Sequence, residues 1–209
     1  MALDFYYGSG SPFAWRVWLA LEHKGIPYTF KLLSFDSGDA EKPEYKKINP
    51  RQKVPTIVDD GFALYESSAI VEYLEDKVPG MAPLFSPDIR ERATQRRLIR
   101  ETDDYFFAPL RKIFSAITEN KPAADVAAGV EQARAELAHW KSLPTGDYLT
   151  GALSAVDFTL YPFVALVDRF SQRNPQAVPV DLLPPRLKDW STRMQKLPIV
   201  QKTLPPHWK

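Results

Sequence analysis

The sequence predicts an α/β domain followed by an all-helical domain, and three observations carry that prediction. Apolar residues recur with a period of two only between residues 3 and 64. A cluster of turn residues, Val78-Pro79-Gly80 with Pro83 and Pro87, then interrupts the chain. Beyond it the apolar patterns keep helical spacing. The expected division is residues 1–78, a linker at 79–87, and a helical domain at 88–209.

Leu3, Phe5 and Tyr7 alternate with Ala2, Asp4 and Tyr6, as a half-buried strand requires. A helix follows with Phe13, Val17, Ala20 and Leu21 on one stripe; Ser11 suits its N-cap, Pro12 its first position and Gly25 its C′ end. Tyr28, Phe30 and Leu32 alternate with Thr29 and Lys31, giving a second strand that the strand-helix-strand order makes parallel to the first. Residues 34–49 are polar and hold at most a short irregular helix. Residues 54–58 and 62–64 flank a turn at Asp59-Asp60-Gly61, an antiparallel hairpin because Asp-Gly supplies φ > 0. Ser67 and Ser68 offer N-caps to a helix that buries Ile70, Val71 and Leu74. The order is βαβ, a loose helix, ββ, α.

In the second half, Ser86 as N-cap with Pro87 at N1 opens a long helix carrying Leu98, Tyr105, Phe106, Leu110, Ile113, Phe114 and Ile117. Pro109 removes a backbone bond and is expected to bend it. A second helix spans 123–140, with Val126, Val130, Ala133 and Leu137 inward. Ser154-Ala155-Val156-Asp157 reads as a capping box before a helix apolar nearly all round. A last helix, 184–197, presents Leu187, Trp190 and Met194 and stops at Pro198, leaving a tail.

Composition narrows the chemistry. Lys and Arg number 27 against 26 Asp and Glu, so no overall field draws the chain to nucleic acid or an anionic membrane. The most cationic run, 90–100, contains Glu91 and reads as a solvated helix face. There is no cysteine, which excludes disulfides, thiolate metal ligands and a protein-borne sulfur nucleophile. No apolar run is long enough to span a membrane and no leader pattern precedes the first strand, so a cytoplasmic protein is expected.

The stretch 7–16 is where chemistry is expected. Ser11 sits at the positive end of a helix, whose unpaired N–H groups favour an anion. Phosphate is a poor candidate: Gly8-Ser9-Gly10 begins a dinucleotide fingerprint, but Phe13 stands where its third glycine belongs, and no Gly-Lys-Ser/Thr follows. A thiolate is the second candidate.

Four motifs stand along the chain in order: Ser11-Pro12-Phe13-Ala14 with Arg16-Val17, Lys53-Val54-Pro55-Thr56, Tyr65-Glu66-Ser67-Ser68-Ala69-Ile70 with Tyr73-Leu74, and Ser154-Ala155-Val156-Asp157. On these the whole length resembles the cytosolic glutathione S-transferases, of a serine-type, bacterial-like kind, with a thioredoxin-like first domain and an all-helical second one. Each motif alone is weak; four in the family's order are not.

The resemblance implies glutathione as co-substrate, no metal, a small hydrophobic electrophile and a homodimer. It implies a cis Pro55 that turns Val54 toward the cysteinyl main chain, where it pairs as an added strand would. It assigns Glu66 and Ser67 to the γ-glutamyl end and Lys53, with Gln52, to the glycyl carboxylate. Phe13 lies beside the same peptide. Ser11 takes the position of the first cysteine of a C-P-Y-C-type redox motif, so the protein cannot itself cycle disulfides. A free thiol of pKa about 8.5 is only a few per cent ionised at neutral pH, and lowering it two units needs about 2.7 kcal/mol. One hydroxyl bond to the thiolate, at about 1.5 to 3 kcal/mol, together with the helix end, meets that need.

Tyr7 and Ser9 compete with Ser11 for the sulfur; Ser11 is preferred because it alone precedes the helix-starting proline. An apolar wall for the electrophile, between the domains, is assigned to Phe13, Tyr105, Phe106 and Pro109. Two readings stand beside conjugation: a non-catalytic glutathione-binding or protein-interaction member of the same fold, and a glutathione-dependent isomerase or dehalogenase.

Overall fold

The computed structural model describes residues 3–140, 142–179 and 181–208; Ala2, read above as part of the first strand, lies outside them. The chain divides into two compact units, Met1–Phe85 with Lys196–Lys209, and Ser86–Gln195.

In the first unit β1 (Leu3–Gly8) buries Leu3, Phe5 and Tyr7 and alternates with half-buried Asp4 and Tyr6, the predicted period of two. Helix α1 (Pro12–Lys24) starts at the N-cap Ser11 with Pro12 in its first turn. It ends on Gly25 at φ 62, whose N–H reaches back to the Glu22 and Leu21 carbonyls. β2 (Thr29–Leu33) returns parallel to β1. It is an edge strand: Phe30 packs on Phe5, Tyr7 and Trp18 yet is 39% exposed, and Leu32 is 59% exposed.

The polar segment holds a 3-10 turn at Asp39–Glu41 and the short α2 (Pro43–Ile48). β3 (Thr56–Asp59) runs antiparallel to β1, and β4 (Phe62–Tyr65) antiparallel to β3 through Asp60 (φ 48) and Gly61 (φ 89). The sheet order is β2-β1-β3-β4. Helix α3 (Ser67–Lys77) packs against α1 and buries Ile70, Val71 and Leu74. Its N-cap is Glu66, which corrects the expectation that Ser67 or Ser68 fills that place. This thioredoxin-like unit is followed by the helical one.

The second unit contains α4 (Ile89–Glu101), α5 (Phe107–Thr118), α6 (Ala123–His139), α7 (Ala155–Arg173) and α8 (Pro185–Gln195). Its first cap is Asp88 and not the expected Ser86: Asp88 accepts from the Arg90 and Glu91 N–H groups, while Ser86 Oγ accepts two residues earlier, from Asp88 N–H. The predicted long helix is broken at Thr102–Phe106 by one wider turn, in which Phe107 N–H bonds Thr102 O. The irregularity therefore falls just before Pro109 and not at it. Proline lacks the N–H that would bond Tyr105 O and its ring would strike that carbonyl; the wider turn relieves both demands.

The Ser154–Asp157 box forms as expected: Asp157 Oδ2 accepts from Ser154 N and Oγ, at 2.9 and 3.0 Å. Asp157 Oδ1 accepts from Leu149 N and Trp190 Nε1, which ties the start of α7 to α8. Residues 196–209, expected to belong to the helical domain, belong to the first unit instead. Pro198, read as a stop, occupies the first turn of a further helix, α9 (Pro198–Thr203), and α9 packs on α1.

Candidate functional site

The strand register brings three connecting segments to one end of the sheet. β1 leaves the sheet at Gly8, β3 enters it at Thr56 opposite Tyr6, and β4 leaves at Tyr65 opposite Thr56. Residues 9–11, 52–55 and 66–67 therefore share one edge of the first unit. Gly8 is so close to Val54 that a Cβ on it would lie 3.0 Å from Val54 Cγ2. Sequence separation hides this neighbourhood; antiparallel pairing creates it.

Ser11 closes the loop by donating its N–H to Gly8 O at 3.1 Å, and its own carbonyl accepts from Trp15 N at 2.9 Å. Its Oγ accepts from Ala14 N at 3.3 Å. A hydroxyl that accepts here keeps its proton for a different acceptor. Half-buried at the positive end of the 13-residue α1, that proton is suited to an anion. Phe13 is half-buried and carries the Arg16 guanidinium 5.5 Å from its ring centroid.

Tyr7 is placed differently. It is 0% exposed, its ring wedged against Phe5, Trp18 and Phe30, and its hydroxyl accepts from Gly10 N at 3.2 Å. Burial raises the phenol above its ordinary value, against the lowering effect of its bonds to Gly10 and Ser9, and so makes it a poorer proton donor. Ser9 Oγ lies 2.8 Å from His207 Nδ1. The residue after it, Gly10, has φ 84, which a side chain would oppose.

The segment before β3 is held by residues that sequence reasoning missed. Tyr45 OH and Asn49 Nδ2 both donate to Lys53 O, at 2.5 and 2.7 Å, and both contact Thr56 Oγ1. Tyr45 and Asn49 are buried, so this clamp is rigid. It fixes the backbone on either side of Val54, whose bond to Pro55 is cis. Gln52 is half-buried at φ 55, and the Lys53 side chain is exposed.

At the third segment Glu66 is exposed and adopts φ 72, a conformation that costs a non-glycine residue about 1–3 kcal/mol. Its side chain makes no cap bond to α3, and Ser67 follows at the first helical position, 6% exposed. The first-turn N–H groups of α3 thus carry no side-chain cap from Glu66, and a carboxylate ligand suits them. No sequence signal marks the Glu66 backbone, because nothing but tertiary context selects a positive φ for glutamate.

Ser11, Val54, Gln52, Lys53, Glu66 and Ser67 all belong to this sheet end. The residues assigned to the electrophile wall in the second unit fare differently. Tyr105 is 61% exposed and lines a cleft of about 790 Å³ within that unit, with Arg97, His139 and Trp140 among its neighbours. Phe106 is 0% exposed and packs near Trp140, and Pro109 is buried where α5 meets α6. Both are core residues, which corrects their assignment to a ligand wall. The wider turn at 102–106 rotates Phe106 inward and Tyr105 outward.

Comparison with known proteins gives this geometry a lineage. Residues 10–77 match the model of the glutathione S-transferase N-terminal domain. A crystal structure of a glutathione S-transferase from the Antarctic clam Laternula elliptica is 30% identical, with a TM-score of 0.85 over 100% of this chain and 94% of that one. The chain belongs to the glutathione S-transferase family. The Omega 3C glutathione transferase from Trametes versicolor is similar at 26% identity, with a TM-score of 0.83 over 96% of this chain and 88% of that one. A glutathione transferase family member from Pseudomonas fluorescens, crystallised with two glutathione bound, shares the fold at 21% identity and a TM-score of 0.86, over 97% and 92% of the two chains. The match to the Laternula elliptica structure spans both units of this chain, while the match to the family model is confined to the unit that holds Ser11. Among the described residues no helix is long and apolar enough to cross a membrane.

Proposed function

We propose that this glutathione S-transferase is of the serine type: the Ser11 hydroxyl donates to the sulfur of bound glutathione and holds it as a thiolate, which attacks a small hydrophobic electrophile. The observation that carries the reading is the bonding of Ser11, whose Oγ accepts from Ala14 N and so has its proton left to give. The inward, bonded phenol of Tyr7 supports the choice between the two. So does the absence of cysteine, which leaves no protein thiol to form a mixed disulfide with glutathione.

Glutathione as co-substrate is supported by the family and by relatives crystallised with glutathione or its disulfide from Pseudomonas fluorescens, Pseudomonas putida and Burkholderia graminis. In this reading the clamped Val54 pairs with the cysteinyl backbone, and Glu66, Ser67 and the α3 N–H groups receive the γ-glutamyl end. Gln52 and Lys53 meet the glycyl carboxylate, and Phe13 adds apolar surface beside Ser11. The thiol proton passes to solvent on ionisation, and the thiolate then forms a carbon–sulfur bond either as a leaving group departs with its bonding pair or as a π-electron pair shifts onto the neighbouring atom of the electrophile, which takes up a proton from solvent. A cytoplasmic homodimer is the assembly this reading expects.

The test is the ionisation of bound glutathione, followed by thiolate ultraviolet absorbance against pH, beside conjugation of an electrophile panel. Ser11→Ala is expected to raise the bound thiol by one to two pH units and remove turnover, and Tyr7→Phe, which loses the acceptor of the Gly10 N–H, to raise it by less than Ser11→Ala does and to keep turnover within about tenfold. Equal losses in the two variants, or a bound thiol no more acidic than a free one, would overturn the proposal.

A further inference from the structure

The segment that follows α9 folds back on the loop before Ser11. Ser9 Oγ and His207 Nδ1 are 2.8 Å apart although 198 positions separate the residues. Trp208 Nε1, which can only donate, lies 2.9 Å from His207 Nε2. Nε2 therefore accepts, the imidazole proton sits on Nδ1, and His207 donates to Ser9. Trp208 is itself anchored, its indole set edge-on to the buried Trp15 of α1 at 5.4 Å. The imidazole also roofs Gly10: a Cβ there would come within 3.1 Å of His207 Cε1 and 3.2 Å of Nε2. From below, Tyr7 OH receives Gly10 N–H. Of the two residues that immediately precede Ser11, Ser9 is thus held by His207 and Gly10 lies between His207 and the Tyr7 hydroxyl, and the His207 contacts come from the far end of the sequence.

We propose that His207, oriented by Trp208, is a positioning residue of the thiol-activating loop: by holding Ser9 and Gly10 it sets where the Ser11 hydroxyl points. It acts through Ser11 and so rests on the serine-type reading above. A loop of two glycines and two serines has little stiffness of its own, and a hydroxyl displaced by less than an ångström loses most of its bond to a thiolate.

The experiment compares His207→Ala, His207→Asn and Ser9→Ala in the full chain. Asparagine's side-chain amide can replace the Nδ1–H donor. His207→Ala and Ser9→Ala are expected to speed amide hydrogen exchange across residues 8–11, a readout that needs no ligand. They are expected to raise the bound glutathione thiol by about one pH unit and lower kcat about tenfold, with glutathione Kd within threefold. His207→Asn is expected to restore all of these to within threefold. In the Ser11→Ala background, His207→Ala is expected to have no further effect on the thiol. Unchanged exchange and thiol acidity in His207→Ala, no rescue by asparagine, or an effect that adds fully to that of Ser11→Ala would each overturn the proposal. If Ser11→Ala itself leaves the thiol as acidic as in the unmodified protein, the serine-type reading fails, and the exchange data alone then report whether His207 orders the loop.

Discussion

The indole N–H of Trp15 donates to the hydroxyl of Thr203 at 2.8 Å, across 188 positions of sequence. Thr203 in turn donates to Ile199 O at 2.8 Å, so the hydroxyl is used in both directions. Both residues are essentially inaccessible to solvent. This bond joins α9 to α1 within the first unit.

Thr203→Val keeps the shape and leaves the Trp15 N–H without an acceptor. A buried unsatisfied donor costs about 1–3 kcal/mol, and the expected loss is of that size in chemical denaturation. Thr203→Ser keeps the hydroxyl and is expected to recover most of it. A valine variant as stable as the unmodified protein would show that the bond contributes nothing net.

Ser11 both caps α1 and, as proposed, polarises a thiol, and one substitution separates the roles. Aspartate caps about as well as serine, whereas alanine costs about 0.5–2 kcal/mol. Ser11→Asp is therefore expected to unfold at nearly the temperature of the unmodified protein, while its negative charge repels a thiolate and abolishes conjugation. Thermal unfolding beside turnover distinguishes this from a simple folding defect.

Asp157 is 0% exposed and accepts from four donors. Burial pushes its carboxyl up to about 6, a rise that bonds from Leu149, Trp190 and Ser154 oppose. Its folded value lies above the unfolded one of about 3.9, so the folded state binds the extra proton between the two. The stability this group contributes is full below pH about 4 and is lost as pH rises through about 6, a change of about 3 kcal/mol. Asp157→Asn removes that slope from the stability–pH curve. It also turns an amide toward two of the donors and is expected to cost about 2–4 kcal/mol at low pH, where the carboxyl is neutral.

Lys24 is 1% exposed, 2.7 Å from Glu75 Oε2 and 2.8 Å from Met81 O, and the same Glu75 oxygen accepts from Leu84 N. Removing one partner of a buried pair costs about 3–5 kcal/mol because the other charge is stranded. Lys24→Met is expected at the lower end, since Glu75 keeps the Leu84 bond and some solvent. The Lys24→Met, Glu75→Gln double variant is expected to lose clearly less than the sum of the singles in a denaturation cycle.

Much of this molecule can be read from the order of its residues, and the exceptions have physical causes. Local rules placed β1, α1 and the β3–β4 hairpin because alternation, Ser11-Pro12 and Asp60-Gly61 act over a few residues. They placed the Ser154–Asp157 box for the same reason. Helical spacing could not tell outward Tyr105 from inward Phe106, because one wider turn shifts the phase by a residue. Pro198 reads equally as a stop and as a start, and only the partner surface on α1 decides. The clamp of Tyr45 and Asn49 on Lys53, the backbone of Glu66 and the reach of His207 to Ser9 all depend on pairing between distant segments, which periodicity does not carry.

The return of α9 to α1 has a consequence for how the protein is made. A ribosome delivers the sheet and its first helices long before it delivers Thr203, so the growing chain carries Trp15 without its Thr203 acceptor through the whole synthesis of the helical unit. The earliest-made part of this transferase is thus completed only when its closing helix arrives.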